Sequence, residues 1–101
     1  SPRALRFELR QKGIASSIID QVLSDLDAEE SAYRAAQAHE RRLRGTERRE
    51  FQTKLGAFLQ RRGFTYEVVR TVTRRLMQEL EAADPEYFSG HERENDADMM
   101  E

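Results

Sequence analysis

The chain repeats itself at an offset of 50 residues, and that repeat limits the folds open to it. Leu5 corresponds to Leu55, Leu9 to Leu59, Gly13 to Gly63, Val22 to Val72 and Leu26 to Leu76. Similar pairs fill the intervals: Lys12 with Arg62, Ile14 with Phe64, Ile18 with Val68 and Ile19 with Val69. Each copy reads as a helix, a glycine turn and a second helix. Its apolar residues recur at three- and four-residue spacing, and the glycine supplies a left-handed stop. Two helices with one apolar face each cannot bury both faces alone, so each copy needs a third helix or a neighbour. The expected fold is therefore all-α: tandem three-helix, helix-turn-helix-like repeats forming an elongated array.

Local signals divide the chain further. Ser1-Pro2 offers an N-cap followed by proline at the first helical position, for a helix over 2–12 that turns Leu5 and Leu9 inward. A second helix is expected over 16–26, with Ile18, Ile19, Val22, Leu23 and Leu26 as its apolar stripe. Asp27, with Glu30 three residues on, reads as a capping box that starts a third helix reaching residue 43. Its inner stripe is Ala32, Ala36, His39 and Leu43. Past Gly45, Thr46 is expected to cap a fourth helix over 47–62, carrying Phe51, Leu55, Phe58 and Leu59. Thr65 is expected to cap a fifth over 66–82, carrying Val68, Val69, Val72, Leu76 and Leu80. These elements give a three-helix repeat over 1–45 and a second repeat over 46–83 of two long helices, with room for a third short one. An acidic, core-poor segment follows over 84–101, with a short helix expected near 85–88.

Charge is divided as well. Residues 1–83 carry 16 Lys/Arg against 12 Asp/Glu, and residues 84–101 carry one Arg against seven acids. A net charge of −2 therefore hides a basic body of +4 and an acidic end of −6. Fifteen of the 17 cations are Arg, whose planar fork suits phosphate and carboxylate better than Lys does. There is no cysteine, which excludes a disulfide scaffold, a thiolate metal site and a cysteine nucleophile. No apolar run approaches the length of a membrane span or a signal-peptide core, so the cytoplasm is the expected compartment.

The sequence offers no catalytic constellation. His39 and His91 lack spaced His/Asp/Glu partners, and no phosphate-binding glycine loop is present. We expect neither enzyme activity nor a cofactor or metal. His39 reads as a packed residue. Where the two copies differ is on their surfaces: Asp20, Ser24 and Asp25 stand where the second copy has Arg70, Arg74 and Arg75. Two basic groups follow as candidates for binding a partner. One is Arg41, Arg42, Arg44, Arg48 and Arg49 around Gly45; the other is Arg61, Arg62, Arg70, Arg74 and Arg75. Arg62 is the foremost single candidate, aligned with Lys12 beside the turn glycine. Tyr66, aligned with Ser16, is a candidate exposed anchor. The structural alternative for each is a solvated face with intrahelical pairs such as Glu40 with Arg44, or a cation complementing a helix C-terminus.

Two stretches carry a family resemblance. Leu5-Arg6-Phe7-Glu8-Leu9-Arg10-Gln11-Lys12-Gly13-Ile14, followed by Ile18-Ile19 and Val22-Leu23, resembles the second repeat of the RecX regulatory proteins. Lys54-Leu55-Gly56-Ala57-Phe58-Leu59-Gln60-Arg61-Arg62-Gly63-Phe64-Thr65-Tyr66-Glu67-Val68 resembles their third. The resemblance covers about residues 2–80. It implies a bacterial protein that lies in the groove of the RecA recombinase filament and inhibits strand exchange, coprotease activity and ATP hydrolysis. Recombination, DNA repair and the SOS response would thereby be modulated. On this reading Arg62, Arg61, Arg70, Arg74, Arg75, Tyr66, Arg41, Arg42 and Lys12 are the candidate contacts to RecA or to filament-bound DNA. Single- or double-stranded DNA is a weaker candidate partner; a membrane or small-molecule substrate is not expected. Two other readings stay open from the residues: a helix-turn-helix module that binds DNA directly, and a general helical scaffold for protein interaction.

Overall fold

A computed structural model describes residues 1–88. Its elements are α1 (Pro2–Gln11), α2 (Ser16–Glu40), a single 3₁₀ turn (Arg41–Leu43), α3 (Arg48–Arg61) and α4 (Tyr66–Ala83), with no strand among the described residues. The array is elongated, 64 × 26 × 19 Å.

The sequence repeat is a repeat of backbone geometry. Gly13 (φ +79°) and Gly63 (φ +97°) both adopt the left-handed conformation. At the first turn the Gly13 and Ile14 amides donate to the carbonyls of Arg10 and Leu9, at 3.0 and 3.1 Å. At the second, Gly63 and Phe64 donate to Gln60 and Leu59, at 2.9 and 3.3 Å. Both are the same double closure of a helix C-terminus, and both need a residue without a Cβ at the left-handed position. Two of the expected caps form: Ser1 Oγ accepts from the Ala4 amide at 3.3 Å, and Thr65 Oγ1 from the Val68 amide at 3.4 Å. Thr46 does not cap. Its hydroxyl instead donates to the Leu43 carbonyl at 2.7 Å, and α3 begins at Arg48 with Glu47 as the preceding residue.

The expected break at Asp27 does not occur. Helix α2 runs unbroken for 25 residues, so Asp27 and Glu30 sit within it and form no capping box. No glycine or proline lies between Ala15 and Gly45, and Ala, Glu, Gln and Arg keep helix propensity high. One mid-helix aspartate costs less than interrupting the hydrogen-bond ladder. The segment assigned from the sequence to the first repeat, residues 28–43, packs with α3 and α4 instead, so the boundary drawn at 45/46 separates parts that share one core. That core holds Ala32 and Ala36 of α2, Leu43, then Phe51, Leu55 and Leu59 of α3 and Val68, Val69, Val72, Leu76 and Met77 of α4. Both alanines are fully buried, and their small side chains let α2 lie close on its neighbours.

The two copies are buried unequally. Val68, Val72 and Leu76 are core residues, whereas their counterparts Ile18, Val22 and Leu26 are exposed. The second copy has the C-terminal half of α2 as its third helix. The first has only α1 and the start of α2, with Ile19 fully buried between them and Phe7 exposed. So the stripe expected to be core on the second helix is largely a bare face four residues apart along α2.

The segment after α4 is not core-poor at its start. Residues 85–88 form a turn rather than a helix, in which the Tyr87 amide donates to the Asp84 carbonyl at 2.9 Å. Phe88 is buried, edge-on to Phe51 with ring centroids 5.2 Å apart. The Tyr87 hydroxyl donates to Glu40 Oε2 at 2.8 Å, and the same carboxylate accepts from Arg44 at 2.7 and 3.2 Å.

Candidate interaction groove

Helices α3 and α4 run antiparallel after the Gly63 turn, and their outer faces leave a groove of about 780 Å³ between them. Along α4 the wall is built from residues four apart, Tyr66, Arg70, Arg74 and Gln78. A helix stacks such residues on one side, each about 6 Å further along its axis. Along α3 the wall is Arg48, Arg49, Gln52, Thr53 and Gln60, and Gly56, Ala57, Val69, Thr73 and Met77 form the floor. The floor is shallow because Gly56 and Ala57 carry almost no side chain.

Its electrostatics are one-sided. Four arginines line the groove and no carboxylate does. Arg48 is partly neutralised by Glu81 at 2.8 Å and lies beside the Phe88 ring, 5.9 Å from its centroid. Among the described residues no carboxylate pairs with Arg49, Arg70 or Arg74. Tyr66, 69% exposed, closes one end. Val69 and Met77 are already buried, so an occupant gains little by apolar contact and much by offering negative charge. On the floor the Thr73 hydroxyl is buried without a hydrogen-bond partner.

The residues singled out from the sequence fall into five places. Tyr66, Arg70 and Arg74 meet in the groove. Arg75, their neighbour in sequence, faces α2: its guanidinium stacks on the Tyr33 ring at 3.7 Å and pairs with Glu79 at 3.4 Å and Glu30 at 3.9 Å. It is therefore a strut between α2 and α4. Arg42, Arg61 and Arg62 gather near His39 and Phe58, with Arg62 over the Phe58 ring at 5.6 Å, whereas Arg41 acts on Glu40. His39 stacks flat on Phe58 at 3.7 Å. Burial, then the charges of Arg42 and Arg61, hold its imidazole below the ordinary value. It is a packed neutral ring, as its place on the inner stripe suggested. Lys12 caps α1 on the other copy and shares no surface with the groove. Gln52, Gln60, Gln78 and Thr73 were not picked out from the sequence. The four-residue ladder 66, 70, 74, 78 was the available signal, and attention to charge alone missed its glutamine end.

Fold and groove together define a class: an all-α repeat protein whose distinguishing surface is an arginine-lined channel, with no group of three or more potential metal ligands among the described residues. Comparison with known proteins is more specific. Residues 1–23 match the family model of the RecX second three-helix domain, and residues 27–73 that of the RecX third three-helix domain. The chain is 36% identical over 76 residues to the regulatory protein RecX of Chlorobium limicola, covering 75% of this chain and 48% of that one. It is 34% identical over 89 residues to the regulatory protein RecX of Streptomyces coelicolor, covering 85% and 47%. To that of Halorhodospira halophila it is 42% identical over 72 residues, covering 68% and 44%. The chain belongs to the RecX family of regulatory proteins. It spans about half the length of the curated relatives it matches. No solved structure matches it. The two matched segments meet inside α2, where the structure passes from the sparsely packed copy to the well-packed one.

Proposed function

We propose that this chain binds the RecA recombinase filament and restrains it, acting in the cytoplasm as a regulator of recombination, repair and the SOS response rather than as an enzyme. The observation that carries the reading is the α3–α4 groove within a RecX-family array: Arg49, Arg70 and Arg74 stand without carboxylate partners among the described residues beside an exposed tyrosine. Such a surface attracts acidic protein patches or phosphates through charge-assisted, forked contacts. An elongated helical array suits a partner that is itself a helical polymer. The test is RecA-dependent ATP hydrolysis on single-stranded DNA, titrated with this chain and with the double variant Arg70→Glu/Arg74→Glu. Dose-dependent inhibition that is weakened at least about tenfold by the double reversal is expected, since each lost charged contact is worth about 1.5–3 kcal/mol. Undiminished inhibition by the variant overturns the site.

A second reading, a module that binds nucleic acid directly, is favoured by one feature: two arginines and a glutamine follow an aromatic ring at four-residue spacing along α4, as on surfaces that hold phosphates and stack bases. Titration of naked single- and double-stranded DNA at several salt concentrations separates the two. Affinity that falls steeply with salt and needs no RecA belongs to this second reading.

A further inference from the structure

The two copies of the repeat differ in how their paired helices satisfy charge. In the first copy Arg6 of α1 pairs with Asp20 of α2, Nη1 to Oδ1 at 2.7 Å. At the matching positions of the second copy stand Gly56 and Arg70. The cation is now on the second helix, and the first helix offers it no side chain. A Cβ built on Gly56 would meet nothing nearer than Val69 Cγ1 at 3.7 Å, so the space over this glycine is open. Arg74 adds a second cation one turn on, where the first copy has Ser24. The cross-helix ion pair of the first copy thus recurs in the second with its anionic half removed.

Elsewhere in the molecule such arginines show what they take. Arg75, on the other side of α4, has Glu30 of α2 within 3.9 Å, and Arg48 of α3 has Glu81 of α4 at 2.8 Å. In each case, as with Arg6 and Asp20, the carboxylate is carried by a neighbouring helix. Arg70 and Arg74, about 6 Å apart along α4, have no such helix beside them. On the groove floor between them the Thr73 hydroxyl is 95% buried with no hydrogen-bond partner, a donor still to be matched by an acceptor. Gly56 and Ala57 keep the opposite part of the floor low, so a helix backbone can come close. The charge of the whole chain favours carboxylates over a run of phosphates. At a net −2 it repels a polyanion at long range, whereas a short segment with two acids meets chiefly the local field of the groove.

We propose that the α3–α4 groove receives a helix of a partner protein that carries two acidic side chains four residues apart. One carboxylate sits on Arg70 and the other on Arg74, and the Thr73 hydroxyl donates to one of them. The inference rests on the groove being the interaction surface of the chain and adds the chemistry of the partner's side. Whether that partner is RecA is a separate question.

A peptide of that chemistry tests it without RecA. The probe is a capped alanine-based helix of about 16 residues with two glutamates four apart. Its control has the glutamates two apart, on opposite sides of a helix but on one side of an extended strand. Titrated into the full isotope-labelled chain, the probe should shift the amides of Gly56, Arg70, Thr73 and Arg74 and bind at least about tenfold more tightly than the control. Gly56→Arg/Arg70→Asp rebuilds the first copy's ion pair in the groove and should abolish the shifts with the helical spectrum unchanged. Arg74→Gln, an exposed change that leaves α3 untouched, should weaken binding about tenfold, and Thr73→Val, which keeps the side chain's shape, several-fold. Equal or tighter binding of the control overturns the helical occupant, and full-strength binding by Arg74→Gln overturns the site. A thymidine oligonucleotide that shifts the same amides at lower concentration than the probe overturns the proposal too, making the groove a nucleic-acid site. The RecA titration keeps the two readings apart. Inhibition that Arg70→Glu/Arg74→Glu removes, with no response to the probe, overturns the acidic helix and leaves the RecA reading standing; probe binding without inhibition does the reverse.

Discussion

Single residues divide between those the backbone demands and those the surroundings tolerate, and the glycines show both. Gly63 sits at φ +97° with no atom within 4 Å of where a Cβ would stand. Nothing blocks a side chain there except the left-handed backbone itself. Gly63→Ala should therefore cost roughly 1–2 kcal/mol, the penalty of that conformation for an L-residue. Gly56 is the opposite case. It lies within α3, and an added Cβ would meet Val69 Cγ1 at 3.7 Å, an ordinary contact. Gly56→Ala should stabilise by up to about 1 kcal/mol through helix propensity. Thermal unfolding checks both, since 1 kcal/mol moves the midpoint by about 4–8 °C in a domain of this size. The turn glycines were legible in the sequence because a repeat at equal spacing marks both at once. What Gly56 does was not, since its tolerance depends on how far Val69 stands across the groove.

At the scale of elements, the sequence shows helices well and their neighbours poorly. Heptad-like spacing located α1, α3 and α4 to within a residue or two of their observed bounds; glycine marked the ends of α1 and α3, and Pro85 that of α4. The break expected at Asp27 rested on a local capping pattern. Local pattern lost to a continuous run of helix formers whose far half is held by α3 and α4. Which stripes are buried could not be read from spacing either. Ile18, Val22 and Leu26 have the same pattern as Val68, Val72 and Leu76, and only the presence of a third helix separates their fates. The consequence is measurable. Ile18 is 56% exposed and Ile19 fully buried. Ile18→Ala should change stability by no more than about 0.5 kcal/mol, whereas Ile19→Ala should cost about 2–4 kcal/mol of whatever holds α1 to α2. Because α1 buries no residue, that second loss should appear locally. Amides of α1 and of residues 16–26 should exchange hydrogen fastest and lose protection in Ile19→Ala, while α3 and α4 keep theirs. Equal loss of protection along the whole chain would mean the two copies unfold as one unit.

The whole molecule is held closed at its C-terminal end by one carboxylate in an unfavourable place. Glu40 ends α2, where the helix dipole disfavours an anion. It is kept there by what it bonds: Arg44 on one side and the Tyr87 hydroxyl on the other, a join that fixes residues 84–88 over the core. The Arg44 hydrogen bond lowers the Glu40 pKa below the ordinary 4.5, and it outweighs the opposing effect of burial. A carboxyl whose folded pKa is depressed contributes stability that is complete above its unfolded value and disappears as pH falls through the folded one. The acid loss should therefore begin near pH 4.5 and continue below it. Tyr87 has the opposite sign. Burial, then its bond to Glu40, pushes it from 10.0 to about 12, so its contribution is complete below pH 10 and is lost as pH rises toward 12. Urea midpoints measured across pH should thus fall on both sides of a broad plateau. Glu40→Gln should flatten the acid limb and lower the plateau, and Tyr87→Phe should flatten the alkaline limb. If both variants keep the wild-type pH profile, the join between α2 and the 84–88 turn does not contribute to stability. Phe88 would then hold the turn alone through its burial against Phe51.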